Sequence, residues 1–338
     1  MNRRFDWFGA ALLLAFCITA SAAQAESIKI GISKLFGTSG APIAVDRGYF
    51  KAEGIDAEMV YFDSAQPIAV GVASGDLDFG VSGMSAGFYT LASQGQLRLL
   101  ATSSGEAPGF HALVILAGAK AFADGLIAPK DLRGHTVAIT QVGTGLHYGI
   151  GLVAERYGFP VSEITVRPLQ SNTNIISALG GNTVDATVLP GATTLVAMQK
   201  ADAKLIGWVG DLGVEFTTGS ALFTSAKDAN ERGDMVRRFM IAYRRGTRDF
   251  HDAFTGPDGK RKDGPNQAMV LDVMSRFTGV APEELLKVVP YADAEGRIST
   301  ADVARMIAWF KSQNLIKGDV KADELIDARY ALPLTVIR

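Results

Sequence analysis

The chain is poor in the residues that most often carry catalysis or covalent cross-links. It has one cysteine among 338 residues, Cys17, and that cysteine lies in an apolar N-terminal stretch. Residues 26 onward therefore form no disulfide, no thiolate metal site and no cysteine nucleophile. Histidine is scarce as well: His111, His135, His147 and His251 are scattered, with no H-E-x-x-H pair. There is no G-x-S-x-G elbow and no Walker A sequence. Gly143-Thr144-Gly145 begins like a dinucleotide fingerprint, but Tyr148 stands where the third glycine belongs. An excess of one charge is missing too. The formal net charge is −2, whereas a nucleic-acid binder usually shows a strong basic excess. No stretch after residue 25 is apolar for long enough to span a bilayer. These absences lead us to expect no enzyme activity, no metal, no cofactor and no nucleic-acid partner.

What is present begins with a leader. Arg3 and Arg4 supply a positive start, Phe8 to Ala20 is apolar apart from Thr19, and Ala23-Gln24-Ala25 reads as a cleavage site. We expect residues 1–25 to be a signal peptide and the mature chain to begin at Glu26. Phe16 precedes Cys17, where a lipidation site needs a small residue, so a free periplasmic protein is expected rather than a tethered one. The paired arginines leave Sec and twin-arginine export both open. About 310 residues then remain, more than one hydrophobic core usually holds, so two lobes are expected.

The order of elements repeats. Strands are expected at Ile28–Ile32, Glu58–Phe62, Phe79–Ser82 and Leu97–Thr102, with helices between them ended by Gly54, Gly75 and Gly95. The same order recurs at Thr136–Thr140, Ile164–Pro168, Ala186–Leu189 and Lys204–Val209. Even the joints match: in each half a helix end, a glycine and then Asp78 or Asp185 precede the third strand. Strand–helix alternation implies mostly parallel sheets flanked by helices, hence an α/β fold of two similar lobes. Glu106–Leu116 and Leu212–Phe223 read as two extended crossings between them. Lobe 1 is then 26–110 with 213–338, and lobe 2 is 111–212. The remaining third is mostly helical. Asn230–Phe254 carries Met235, Phe239, Ala242 and Phe250 at helical spacing, with Arg237, Arg238, Arg244, Arg245 and Arg248 on an exposed face.

Ligands of open parallel sheets sit beyond the carboxyl ends of the strands. The tips there are rich in glycine, hydroxyl and amide residues, and each opens a helix whose free N–H groups form an anion cradle. The candidate ligand-binding residues are Lys34 and Phe36 after the first strand, Ser64 after the second, and Ser82, Gly83, Met84 and Ser85 after the third. Lobe 2 adds Gly143, Thr144, Gly145, Pro190 and Trp208. Ser85 and Thr144 stand out, although either equally fits an ordinary helix cap. Tyr89, His147 and Tyr148 are further aromatic candidates near the cleft.

Two segments resemble a known family. Asp46-Arg47-Gly48-Tyr49-Phe50-Lys51-Ala52-Glu53-Gly54-Ile55 is similar to the RGYF-x-x-EGL segment of the nitrate/sulfonate/taurine group of ABC-transporter substrate-binding proteins. Ala73-Ser74-Gly75-Asp76-Leu77-Asp78-Phe79-Gly80 is similar to that group's ASGxxDF joint. The resemblance extends over essentially the whole chain after the leader. It implies a type II periplasmic binding fold with two hinge crossings and a small-molecule ligand held between closing lobes. It also implies a monomer that delivers this ligand to an inner-membrane ABC permease with a cytoplasmic ATPase. The ligand class so implied is a small organic anion: a sulfonate, a taurine-like compound, or an aromatic or aliphatic carboxylate. The contacts carried over are Lys34–Phe36, Ser82–Ser85 and Gly143–Gly145. A sensor-type binder of a neutral heterocycle, such as a thiamine-precursor pyrimidine, and an enzyme on the same fold remain alternatives. The enzymatic branch is marked by a cysteine-rich iron-binding segment, which this chain lacks.

Overall fold

The repeat becomes two five-stranded sheets. The computed structural model describes residues 25–214 and 216–334, so all of the expected leader but Ala25 lies outside the described residues. The first half alternates β1 (Glu26–Ile32), α1 (Gly40–Asp46), α2 (Tyr49–Ala52), β2 (Ile55–Tyr61), α3 (Ala65–Ser74), β3 (Phe79–Gly83), α4 (Ala86–Ser93) and β4 (Leu97–Glu106). After β5 (Leu113–Ala117) and α5 (Ala119–Ala123), the order recurs. It runs β6 (Thr136–Ile139), α6 (Gly145–Tyr157), β7 (Thr165–Pro168), α7 (Asn172–Gly180), β8 (Ala186–Pro190), α8 (Gly191–Ala201) and β9 (Lys204–Trp208). Then come β10 (Phe216–Ser225) and α9 (Ala226–Glu231), α10 (Gly233–Phe254), α11 (Gln267–Thr278), α12 (Pro282–Leu285), α13 (Thr300–Ser312) and α14 (Ala322–Leu325).

The sheets are ordered β2-β1-β3-β10-β4 and β7-β6-β8-β5-β9. In each, four strands point one way and one is reversed: β10 runs against β3 and β4, and β5 against β8 and β9. The reversed strands correct the sequence expectation. Leu113–Ala117 and Phe216–Ser225 had read as parts of the crossings, yet both have ladder partners on both sides, and Ile115, Leu116, Ala221 and Leu222 are wholly buried. A run that crosses between lobes and a run that enters a sheet look alike in sequence, because both are extended and apolar. The connections proper shrink to 107–112 and the stretch between β9 and β10.

The matching joints have one structural cause. The Asp78 carboxylate accepts the Lys29 N–H (2.7 Å), and the Asp185 carboxylate accepts that of Thr136 (2.8 Å). Each returns its own N–H to the same partner's carbonyl, at 3.0 and 2.9 Å. Each aspartate thus closes the lower end of a parallel strand pair, where the ladder leaves an N–H without a partner.

The long helix α10 buries Met235, Phe239, Ala242 and Phe250 as its spacing predicts. Phe239 stacks on Phe79 with centroids 3.6 Å apart. Its arginines are structural. Arg238 pairs with Glu26 (2.6 Å) and Asp234 (2.9 Å), Arg245 lies 3.9 Å over the Tyr49 ring, and Arg244 donates to the Glu295 and Tyr330 carbonyls.

Candidate functional site

A cavity of about 500 Å³ lies where the carboxyl ends of strands from both sheets face each other. This is large enough for an organic molecule and falls within the usual range for ligand sites. Lobe 1 lines it with the turn Ser33–Gly37, with Tyr61–Ala65, with Gly83 and Met84, and with β4 and β10 residues Ser104, Gly105, Glu106, Phe216, Gly219 and Ser220. The other sheet contributes Ala112, Leu113, Thr140, Gln141, Thr144–Leu146, Asn172, Pro190, Gly191 and Thr193. Val288 and Pro290 complete the wall.

The two helix starts singled out in the sequence meet head to head. Ser85 and Thr144 form an isolated antiparallel bridge, and Ala86 donates its N–H to the Gly143 carbonyl at 2.8 Å. The backbone that opens α4 in one lobe is thereby tied to the backbone that opens α6 in the other.

Of the residues proposed from sequence, Lys34, Phe36, Ser64, Gly83, Met84, Thr144, Gly145 and Pro190 line the cavity. Ser82, Ser85, Gly143 and Trp208 do not. Ser82 is buried in β3, its hydroxyl turned to the Gly83 carbonyl. Ser85 is a helix cap, accepting the Phe88 N–H at 3.2 Å. Gly143, at φ +79°, serves the contact between lobes with its carbonyl, which accepts the Ala86 N–H, and donates its own N–H to His147 Nδ1 (3.3 Å). Trp208 ends β9, an edge strand, so it sits beside the crossing and stacks on His111 at 4.1 Å. Tyr89, His147 and Tyr148 pack behind the wall with α13, not on the cavity.

Side chains on the wall differ in freedom. Phe36 is fixed edge-on by Phe250 and Phe254, with centroids 5.2 and 5.9 Å away. Lys34 is exposed and lies 4.4 Å over the Tyr61 ring. Asp63 stands exposed on the same side. Asn172 donates to Thr193 Oγ1 (3.4 Å), while its Oδ1 is buried without a partner among the described residues. Asp63, Thr140, Gln141 and Asn172 also line the cavity and are not among the residues selected from sequence. Sequence reasoning also missed Ser104, Glu106, Phe216 and Ser220, which become visible only once β10 is known to lie beside β4.

Glu106 is the one deeply buried acid of the wall, 3 % exposed. Its carboxylate accepts the N–H of Ala112 (3.2 Å) and of Leu113 (2.6 Å), and Gly210 packs against it. Burial outweighs those bonds and pushes its pKa up to about 8, with the Asp211 charge adding to the rise. On the other side of the cavity the lobes touch through α6 and α13. Trp309 packs edge-on to His147 (4.9 Å) and Tyr148 (5.4 Å). Arg305 Nε donates to the Tyr148 hydroxyl (3.1 Å) and pairs with Asp302 (3.1 Å). Burial lowers the His147 pKa to about 4, which keeps Nδ1 neutral as the acceptor for Gly143. Among the described residues no cluster of three or more His, Cys, Asp or Glu could hold a metal, and no helix is long and apolar enough to cross a membrane.

Comparison with known proteins agrees with this architecture. The alkanesulfonate-binding protein SsuA of Xanthomonas axonopodis pv. citri, solved with MOPS bound, superposes with a TM-score of 0.69 at 18% identity, over 90% of this chain and 99% of that one. The periplasmic nitrate-binding protein NrtA of Synechocystis PCC 6803 gives 0.70 at 11% identity, over 90% and 87%. At such identities the likeness is one of fold, the two-lobed fold of periplasmic binding proteins. In sequence, proteins of Brucella abortus and Brucella suis named as binding proteins are 26% identical over 187 residues, 55% of this chain and 54% of theirs. The chain thus spans about half the length of the curated relatives it matches. The model of the family described as NMT1/THI5 like matches residues 37–253, and the chain belongs to that family.

Proposed function

We propose that this protein is a periplasmic receptor of an ABC importer that captures a small organic anion between two closing lobes. The observation that carries the reading is the cavity at the strand ends of both sheets, on whose wall the N-terminus of α6 opens beside the start of α4. Helix N-termini and the Lys34 ammonium favour an anionic head. Phe36, Tyr61, Phe62, Leu113, Leu146 and Phe216 offer an apolar body its place. A bare oxyanion such as nitrate would leave most of 500 Å³ empty, which supports an organic anion, a sulfonate or carboxylate. The binding residues of this reading are Lys34, Phe36, Ser64, Gly83, Met84, Thr144, Gly145 and Pro190. The lobes divide as 26–110 with 213–338 and 111–212. A permease with its ATPase is the partner, the receptor is a monomer, and no turnover is expected. The leader read over residues 1–25 supports the address.

A neutral heterocycle, such as a thiamine-precursor pyrimidine, is the second reading. It is favoured by Asp63 and Glu106, acids that share the wall with Lys34, and by Asn172 Oδ1, an acceptor without a donor among the described residues.

A thermal-shift screen of alkane- and arylsulfonates, carboxylates, nitrate and pyrimidines separates the two readings. A ligand at about a hundred times its Kd stabilises the fold by about 2.7 kcal/mol. Shifts with organic sulfonates or carboxylates are expected. Shifts with pyrimidines alone would move the assignment to the second reading, and no shift with any class would count against the receptor.

A further inference from the structure

Both connections between the lobes converge on one side chain. Glu106 is the last residue of β4, and the outgoing connection begins directly after it. Residues 107–110 turn back on themselves, with the Phe110 N–H donating to the Ala107 carbonyl at 2.9 Å. The Glu106 carboxylate then accepts the N–H groups of Ala112 and Leu113, the residues that carry the chain into β5. Gly210, which belongs to the returning connection between β9 and β10, packs against the same carboxylate. The fit around Gly210 is tight. A methyl group there would stand 2.6 Å from the Phe110 carbonyl oxygen and 2.8 Å from Glu106 Oε2, and neither separation is tolerable for a carbon atom. A glycine is thus required for the two connections to meet on the carboxyl group.

We infer that Glu106 is the clasp of the hinge: a positioning residue whose single carboxyl group ties the outgoing and the returning connection to the end of β4. The inference rests on the two-lobed receptor reading and adds the residue that registers the lobes. Glu106, Ala112 and Leu113 all line the cavity, so a bound ligand lies against the clasp itself. The charged groups around it are few. Asp211 stands on the returning connection, His111 faces Asp211 at 3.7 Å, and Arg261 acts on His111 from the loop after α10. Both carboxyl oxygens are used, Oε1 accepting from Leu113 and Oε2 from Ala112, so an amide at this position keeps one acceptor and turns its NH2 toward the other N–H.

The test is hydrogen-exchange mass spectrometry on the full chain without ligand, comparing wild type, Glu106→Gln, Glu106→Ala and Gly210→Ala. Glu106→Ala is expected to speed exchange in both the 107–113 and the 209–214 peptides by about tenfold, the loss of one hydrogen bond of ordinary strength. Glu106→Gln, which keeps one of the two oxygen acceptors, is expected to retain part of the protection. Strand β1 should remain protected in every variant. If Glu106→Ala does not fold, Gly210→Ala decides, because its added methyl group must push the two connections apart and expose both peptides. In Glu106→Ala, acceleration confined to one connection, or no acceleration in either, overturns the clasp. Because no ligand is used, such a result leaves the receptor reading standing, and a failed ligand screen leaves the clasp standing.

Discussion

Two of the contacts between the lobes are built from different chemistry. At the hinge the joining groups are backbone amides gathered on the buried Glu106 carboxyl group. Where α13 meets α6 they are aromatic faces: Trp309 against His147 and Tyr148, with Arg305 reaching the Tyr148 hydroxyl. Hydrogen bonds fix a direction, so they suit a joint that rotates about a fixed line. Packed rings depend on area and separate as a unit, so they suit a contact that forms and breaks. The two contacts also respond to pH in opposite senses. Burial raises the Glu106 pKa to about 8 and lowers that of His147 to about 4.

The largest effect expected from this contrast is that of Trp309→Ala. Removing the ring should destabilise this meeting of the lobes by about 3 kcal/mol, as for other large aromatic truncations. Small-angle scattering should show a more open molecule, whereas hydrogen exchange in 107–113 stays slow. Loss of protection at the hinge as well would mean that the two contacts are not independent.

Next in size is the pH dependence of stability. Glu106 has its pKa raised on folding, so its contribution is full below about pH 4.5 and is lost as pH rises to about 8. His147 has its pKa lowered, so its contribution is full above about pH 6.5 and is lost as pH falls to about 4. The two offset each other between about pH 4.5 and 6.5. From about pH 6.5 to 8 Glu106 acts alone, and urea unfolding should show a loss of about 2 kcal/mol. Glu106→Gln should flatten that limb, while His147→Gln should leave it intact and uncover rising stability on acidification below pH 6.5. An unchanged slope in Glu106→Gln would break the contrast.

The smallest effect is that of Tyr148→Phe, which removes the bond from Arg305 and keeps the ring. About 1 kcal/mol is expected. A loss as large as that from Trp309→Ala would show that polar bonding, not packing, holds this contact.

The two contacts were not equally legible in the sequence. The repeat, the lobes and the strand-tip loops follow from short-range signals: glycine stops, apolar runs and the paired Asp78 and Asp185. Eight of the proposed pocket residues reach the cavity wall for the same reason, since strand ends in such sheets face the cleft. Ser85 and Gly143 were correctly placed at helix starts, but the sequence does not say whether a cap points at a ligand or at the opposite lobe. Trp208 was misplaced because strand order within a sheet depends on long-range pairing, which put β9 at an edge. Glu106 was invisible for a related reason. Its partners lie on two connections whose convergence depends on β5 and β10 entering the sheets reversed.

The account stands or falls on the cavity between the lobes. Calorimetric titration of the organic anion that gives the largest thermal shift, into wild type and into Gly145→Phe, tests it most directly. Gly145 opens α6 on the wall, and a Cβ at this position would stand 3.8 Å from the Phe216 ring, its nearest side-chain neighbour, so a phenylalanine there fills the space. Saturable 1:1 binding to wild type, recovery of the compound unchanged, and at least about tenfold weaker binding to Gly145→Phe, a cost of about 1.4 kcal/mol, are predicted. Equal affinity in the two proteins, or chemical conversion of the compound, would contradict the account.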